Sequence, residues 1–494
     1  TLHDIYPISA EKSRLTSHLQ TLEQRALTLV ESPEPDLSYT FKHIITQEVA
    51  YNMLLFEQRR QLHQAVAEWY ERHYGDTEII GLQETVTLYK APSATALSPH
   101  YAILVHHYHH AGNEERERHY ALLAGRQASE QFANNEAVTY FSRAVELTLR
   151  TDFAGLYTLL LAREQVYNLL GLRSEQAHDL QVLQLLADQL DDDERRATVA
   201  TRHARYAERV SNYPTAIRTA KKAISIAQTV SNPTSEAGGH LFWGRALMRQ
   251  GMHETARPKL EAGFRLAQSA RLRHYEAEFA TSLSAVYRGR GETELAYEMA
   301  YLALRLRREI GDRRGEAESL NSIGNTLRGR GSYDDAQDNH QQALEIYRET
   351  GDRQGEAQSL DALSSVHANQ GSYATARVHC LADLRIKREI GDRRGQAQSL
   401  NNLGNVANNQ ADYAAAIACF EKAYNISQRI GDKRGEALAL NNLGVAAALQ
   451  GQHAEASHYY TLALPLQQET SNRLGEAWVY NNLGTISRYE GRYA

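Results

Sequence analysis

Polar side chains recur in this chain at a spacing of 40 residues. Asn321, Asp361, Asn401, Asn441 and Asn481 form one series, and Asn325, Ser365, Asn405, Val445 and Thr485 form a second. A third runs through Arg288, Arg328, Ala368, Asn408, Ala448 and Arg488. An Asn amide offers two donors and an acceptor, so a row of them can pair with the backbone of an extended peptide without reading its side chains. Arginines along the same row would hold the carboxylates of such a peptide. The competing use of these amides is to tie neighbouring repeats together, and Asn402, Asn442 and Asn482, one position later, are expected to do that.

Catalysis has no comparable candidate. The sequence contains no nucleophile elbow, no His-Glu-x-x-His, no Cys-x-x-Cys and no paired carboxylates at a useful spacing. It also lacks the glycine-rich loop ending in Gly-Lys-Ser/Thr that cradles a triphosphate. Histidines at 100, 106, 107, 109, 110 and 119 invite a metal reading, because His106 and His110 lie one helical turn apart. No carboxylate or Cys completes a ligand set there, and packing is the favoured use. The expectation is a binding protein without enzymatic activity, cofactor or metal.

The elements that carry the polar rows follow from the same period. The Gly of Gly-Asp-basic recurs at 311, 351, 391 and 431, and Ser471 holds the same place. Within one period, Ala397, Leu400, Leu403, Gly404 and Ala407 make one apolar helical stripe, and Ala416, Phe420 and Ala423 make another. Gly391 suits the left-handed residue after one helix, and Asp392 the cap of the next. Gln410-Ala411-Asp412-Tyr413 is the turn between the two helices. Neither helix could bury its stripe alone, so the pattern predicts stacked helical hairpins. Pro258 and Pro465 fall inside second helices and should kink or shorten them.

Leu403-Gly404 with Ala416, Phe420 and Ala423 resembles the tetratricopeptide repeat, in the 40-residue variety found in spindle-orientation adaptors, kinesin light chains and bacterial signalling proteins. The pattern returns as Ile323-Gly324 with Ala336 and Ala343, as Leu443-Gly444 with Ala456, Tyr460 and Ala463, and as Leu483-Gly484. The resemblance implies an all-α fold, a right-handed superhelix (α-solenoid) whose first helices line a concave groove. It turns Asn321, Asn325, Arg328, Gln358, Asp361, Gln398, Asn401, Asn405, Asn408, Asn441, Asn481 and Arg488 toward that groove, as contacts for a protein or peptide ligand. Arg313/Arg314, Arg353, Arg393/Arg394 and Lys433/Arg434 lie at the joints and read as a solvated edge with local partners such as Glu316, Glu356 and Glu436. Residues 311–494 hold the regular repeats and 151–310 divergent ones, of which 151–190 keeps little beyond Ala177. In 100–150, Ala124-Gly125, Ala137, Phe141 and Ala144 match the core columns one residue late.

Residues 1–74 lie outside the period. Ala10–Val30 reads as a helix, Glu31–Ser38 as a loop, Tyr39–His43 as a strand and Ile45–Tyr74 as one or two helices, a winged-helix-like order. Residues 75–99 are a connector. Tyr39-Thr40-Phe41-Lys42-His43, Gln47-Glu48-Val49-Ala50-Tyr51 and Arg59-Arg60-Gln61-Leu62-His63 resemble the segment after the nucleotide-binding domain in bacterial signalling ATPases of the STAND type, which are often joined to class III cyclases or regulator domains. That resemblance implies an upstream nucleotide-binding domain as a second partner, and a sensor or scaffold role for this arm. The chain starts at Thr1 and stops in a turn, as a piece of a longer protein would.

Composition narrows the setting. Lys and Arg total 54 against 60 Asp and Glu, for a net charge of −6. No basic field therefore argues for nucleic acid or an anionic membrane. Two cysteines, Cys380 and Cys419, both sit in second helices, where Cys packs as a small apolar residue, and their scarcity suits a reducing compartment. No run of about 18 apolar residues occurs, and a cytoplasmic location is expected. Self-association or autoinhibition through the repeats, and DNA binding through the early region, are the alternative functions.

Overall fold

In a computed structural model of the chain, residues 14–32, 38–41, 44–75, 96–470 and 472–489 are described. Residues 76–95 of the connector expected at 75–99, the residues after Tyr489 and the end of the expected 39–43 strand lie outside them. The chain divides into two compact units, Thr1–Tyr206 and Ala207–Ala494.

The first unit begins with helix α1 (Leu15–Gln24), strands β1 (Thr28–Ser32) and β2 (Ser38–Phe41), and helices α2 (Ile44–Met53) and α3 (Phe56–Tyr74). The single helix expected over Ala10–Val30 is corrected. Its continuation is broken at Ala26, which takes φ 54°, and the β-branched Thr28 and Val30 enter a ladder instead. β1 and β2 pair antiparallel, with Thr28 opposite Phe41 and Val30 opposite Tyr39. Then follow α4 (Tyr101–Ala111), α5 (Glu114–Glu130), α6 (Asn134–Glu146), α7 (Phe153–Leu170), α8 (Arg173–Gln189) and α9 (Asp193–Arg209), which crosses the unit boundary. Gly125, Ala137, Phe141 and Ala144 are buried as the late-register match requires. In α8 the small-residue column is filled by Gln176 rather than Ala177. Gln176 is fully buried, and its amide donates to Glu164 Oε1 at 2.6 Å.

The second unit is a solenoid of antiparallel helix pairs. It comprises α10 (Tyr213–Thr229), α11 (Pro233–Arg249), α12 (His253–Ser269), α13 (Arg273–Gly289), α14 (Thr293–Glu309), α15 (Arg313–Arg330) and α16 (Tyr333–Glu349). It continues through α17 (Arg353–Asn369), α18 (Tyr373–Glu389), α19 (Arg393–Asn409), α20 (Tyr413–Arg429), α21 (Lys433–Leu449), α22 (His453–Glu469) and α23 (Arg473–Tyr489).

The joints behave as their residues dictate. Gly391 takes φ 71°, and Asp392 accepts from the amide of Gly395 at 2.8 Å. Asp312 and Asp352 cap α15 and α17 in the same way. α12 and α22 run their full 17 residues through Pro258 and Pro465, so the expected shortening does not occur. Packing against both neighbours outweighs one missing backbone bond.

Several helix pairs close on a residue without a side chain. A Cβ on Gly404 would lie 2.3 Å from Phe420 Cε1, and one on Gly444 would lie 2.5 Å from Tyr460 Cε1. Where Ser364 replaces Gly, the partner shrinks to Cys380, whose sulfur lies 2.8 Å from Ser364 Oγ. Burial pushes that thiol up to about 11. The first helices of successive pairs, such as α19 with α21 and α21 with α23, also touch one another, which second helices do far less. The second unit therefore curves with its first helices on the inside.

Candidate functional site

Three first helices, α19, α21 and α23, bound a cavity of about 510 Å³ on that inner side. Its floor is a ladder of amides. Asn442 Nδ2 donates to Asn401 Oδ1 at 3.1 Å, and Asn482 Nδ2 donates to Asn441 Oδ1 at 3.1 Å. One repeat earlier, Asn402 Nδ2 donates to Asp361 Oδ1 at 2.6 Å. These bonds tie each repeat to the one before it, as expected for Asn402, Asn442 and Asn482.

The acceptors in that ladder are the residues of the first polar row. Asn401 is buried and also donates to the Ala397 carbonyl at 3.1 Å. Asn441 is buried as well, and Asn321 is held between Ser359 Oγ and His340 Nδ1, each at 2.8 Å. Asn321, Asp361, Asn401 and Asn441 thus have oxygens already occupied by neighbouring helices. Gln358, Gln398, Asn405 and Asn481 are exposed, while Asn325, Arg328 and Asn408 are half-buried. Arg488 is exposed, with its guanidinium 5.9 Å from the Tyr489 ring centre. The cavity gathers Gln398, Asn401, Asn405 and Asn441. It does not include Asn321, Asn325, Arg328, Gln358, Asp361, Asn408, Asn481 or Arg488.

The cavity wall contains residues that the polar rows did not single out. Arg394, Arg434, Leu438 and Trp478 line it. The signal was present, since continuing the column of Gln358 and Gln398 in steps of 40 gives Leu438 and then Trp478. That column turns from amide to apolar and ends in an indole that is 53% exposed. The edge reading of the joints is corrected in part. Arg313, Arg353 and Lys433 do meet Glu316, Glu356 and Glu436 locally. Arg314 and Arg394, however, reach the Asp of the next joint, Asp352 and Asp432. Arg434 would find its counterpart at 472, where the sequence has Asn. Asn472 is engaged with Gln467 and Gly475, and Arg434 forms no ion pair among the described residues. One exposed cation thus stands beside an aromatic and an aliphatic side chain over a floor of amides.

The histidines of the first unit meet one another. His63 Nδ1 lies 2.7 Å from His107 Nδ1, and Tyr51 Oη lies 2.9 Å from His63 Nε2. The rings of His106 and His110 pack within 6 Å of His63. Burial, and then the neighbouring imidazoles, push His63 and His107 down to about 4, so both are neutral at pH 7. Among the described residues, no group of three or more His, Cys, Asp or Glu side chains is arranged to hold a metal ion.

Sequence comparison places tetratricopeptide repeats over the C-terminal region: the family profile matches residues 276–349, 315–380, 353–429, 395–469 and 435–494. No curated protein matches the chain. A solved Rap protein complexed with competence and sporulation factor is similar at 13% identity, covering 76% of this chain and 98% of its own, with a TM-score of 0.49. The apo form of the quorum sensor NprR from B. thuringiensis is 15% identical over 67% of this chain and 93% of its own, also at 0.49. A signal transduction ATPase with numerous domains and a tetratricopeptide repeat sensor, from Pyrococcus horikoshii, is 14% identical over 98% of this chain and 74% of its own, at 0.47. Among the described residues, no helix is long and apolar enough to cross a membrane.

Proposed function

We propose that this chain is the non-catalytic sensor and scaffold arm of a cytoplasmic signalling ATPase, and that it binds an extended protein segment along the inner face of its repeats. One observation carries the reading: over the bonded Asn floor, the cavity presents Gln398, Asn405, Arg434, Leu438 and Trp478 with no partner of their own among the described residues. Exposed amides suit a peptide backbone, Arg434 suits a carboxylate, and Trp478 with Leu438 suits an apolar side chain. Occupancy would then bias contacts between the early region and an upstream nucleotide-binding domain. In support of such contacts, α2 exposes Ile44, Ile45, Val49 and Met53, a face of apolar side chains left open to solvent.

The test is selection of displayed random peptides on the whole chain, followed by direct titration. Selected peptides should bind about tenfold or more weakly to the Asn405→Ala, Arg434→Ala, Trp478→Ala variant, while its melting stays near that of the parent. Equal binding to both would move the site elsewhere. No selected peptide, together with a mass that rises with concentration, would favour self-association.

A further inference from the structure

Near the end of each second helix, one buried side chain reaches the start of the first helix that follows. From α14 it is Arg307, which donates to the Gly315 carbonyl; from α16 it is Tyr347, whose ring a Cβ on Gly355 would run into. From α18 it is Lys387, which donates to Ser399 Oγ, and from α22 it is Gln467, which accepts from Asn472. These residues are one column of the 40-residue period, and in α20 that column falls to Ser427. Ser427 is fully buried and lines the cavity of about 510 Å³, and its Oγ has no hydrogen-bond partner among the described residues. A Cβ on Gly435 would lie 2.5 Å from that oxygen, so the hydroxyl stands where the larger members of the column meet the next helix.

The surroundings of Ser427 decide what can replace the missing side chain. Arg307 is held by Glu278, Glu318 and Ser319, and three repeats later those places carry Gln398, Leu438 and Ala439. Lys387 is held by Asp383 and Ser399, and one repeat later those places carry Ala423 and Ala439. A cation beside Ser427 would find none of the side chains that hold its counterparts, and Asp432 already receives Arg394 on both oxygens. Burying it there would be costly. The setting of Tyr347 is retained instead. Gly355 and the Arg314–Asp352 pair reappear two repeats later as Gly435 and the Arg394–Asp432 pair, all on the cavity wall. Leu438 adds an apolar flank.

We propose that the cavity receives a tyrosine side chain of the bound segment, entering between α19 and α21 and filling from outside the place that Tyr347 fills from within the chain two repeats earlier. This rests on the peptide-binding reading above and names the side chain that anchors the ligand. A phenol has an apolar body and a polar tip. Inserted from the inner face, its ring packs on Leu438 and Gly435, and its hydroxyl leads toward Ser427 Oγ and satisfies it. A phenylalanine ring would leave that buried hydroxyl unpaired.

The experiment titrates the full chain with p-cresol, toluene and n-butylamine, followed by ligand-detected NMR, in the parent and in two variants. Ser427→Tyr restores the column and fills the place; Gly435→Ala sets a methyl group where the ring edge would lie, at a helix start that needs no left-handed φ. p-Cresol should bind the parent about tenfold or more tightly than it binds either variant, and tenfold more tightly than n-butylamine binds the parent. Toluene should bind the parent several-fold more weakly than p-cresol. No p-cresol binding, equal binding in parent and variants, or a preference for n-butylamine overturns the proposal, and toluene binding as tightly as p-cresol overturns the choice of tyrosine. Ligand-free Ser427→Tyr should melt as high as the parent or higher, and a clear drop would mean that the place is closed to a ring. Asn405, Arg434 and Trp478 stay intact in both variants. Displayed peptides that bind parent and Ser427→Tyr equally would therefore sink the tyrosine site and leave the peptide-binding reading standing, whereas p-cresol bound without any selected peptide would sink both.

Discussion

Arg394 Nη1 donates to Ser211 Oγ at 2.9 Å, although the two residues stand 183 positions apart. The same guanidinium holds Asp432 through Nε at 2.9 Å and Nη2 at 3.0 Å. The second unit therefore curves far enough to bring the joint before α10 against the start of α19. Asp432 is fully engaged by that fork, and alone among the Gly-Asp joints from 312 to 432 its carboxylate does not cap its own helix. Ser211→Ala should remove only the long contact. Since the pair is exposed, melting should change by less than about 1 kcal/mol. The distance between spin labels at Arg218→Cys and Arg388→Cys, in a background lacking Cys380 and Cys419, should broaden; an unchanged distribution would show that helix packing alone sets the curvature.

Gly404 and Gly484 hold the same repeat position in different surroundings. A Cβ on Gly404 drives into Phe420, whereas one on Gly484 meets nothing within 4 Å. Gly404→Ala should cost about 1–3 kcal/mol through overpacking, and Gly484→Ala should stabilise by roughly 0.5–1 kcal/mol through helix propensity. Chemical denaturation of the two variants checks both signs.

The turn between α19 and α20 is strained. Ala411 takes φ 60°, where the equivalent turns have Gly331, Gly371 and Gly451. The left-handed conformation costs a non-glycine residue about 1–2 kcal/mol, and the looser unfolded chain returns part of that when glycine is introduced. Ala411→Gly should raise the melting temperature, and a fall would mean that the turn is not the source of strain.

Acid should weaken the fold. His63, His107 and His340 are held at about 4, against 6.5 when unfolded. Between those values the unfolded chain binds more protons, so their contribution is complete above pH 6.5 and is lost as pH falls toward 4. Asp383 opposes them: burial raises it to about 6, so the folded state gains from its protonation below that pH. Three groups outweigh one. Melting should drop from pH 7 to pH 5, and the drop should shrink in His63→Gln with His107→Gln. Equal drops in parent and variant would remove the imidazole cluster from the explanation.

Among the described residues Arg307 is the largest fully buried side chain, bonded to the Gly315 carbonyl at 2.6 Å and to Ser319 Oγ at 3.1 Å besides its two glutamates. Arg307→Met should destabilise by about 3–5 kcal/mol, because Glu278 keeps only Arg245. A loss below about 1 kcal/mol in denaturation would show that the pair is dispensable.

The local physics of the repeats is written in the chain. Gly and Asp at each joint, Gly404 opposite Phe420, and the 40-residue period are enough to place the helices, because each depends on neighbours within one or two repeats. The amide ladder was half legible: Asn402, Asn442 and Asn482 were expected to cross between repeats, but that their acceptors would be Asp361, Asn401 and Asn441 depends on the offset between stacked helices. The break at Ala26 was hidden because Ala10–Val30 has no glycine or proline to announce it. Which arginines lack a counterion was also out of reach. Arg394 finds Asp432 and Ser211, whereas the place that would answer Arg434 holds a neutral Asn472 already bonded to Gln467 and Gly475. Short-range propensity and packing determined the elements; long-range stacking decided which polar groups were consumed by the fold and which were left for a ligand.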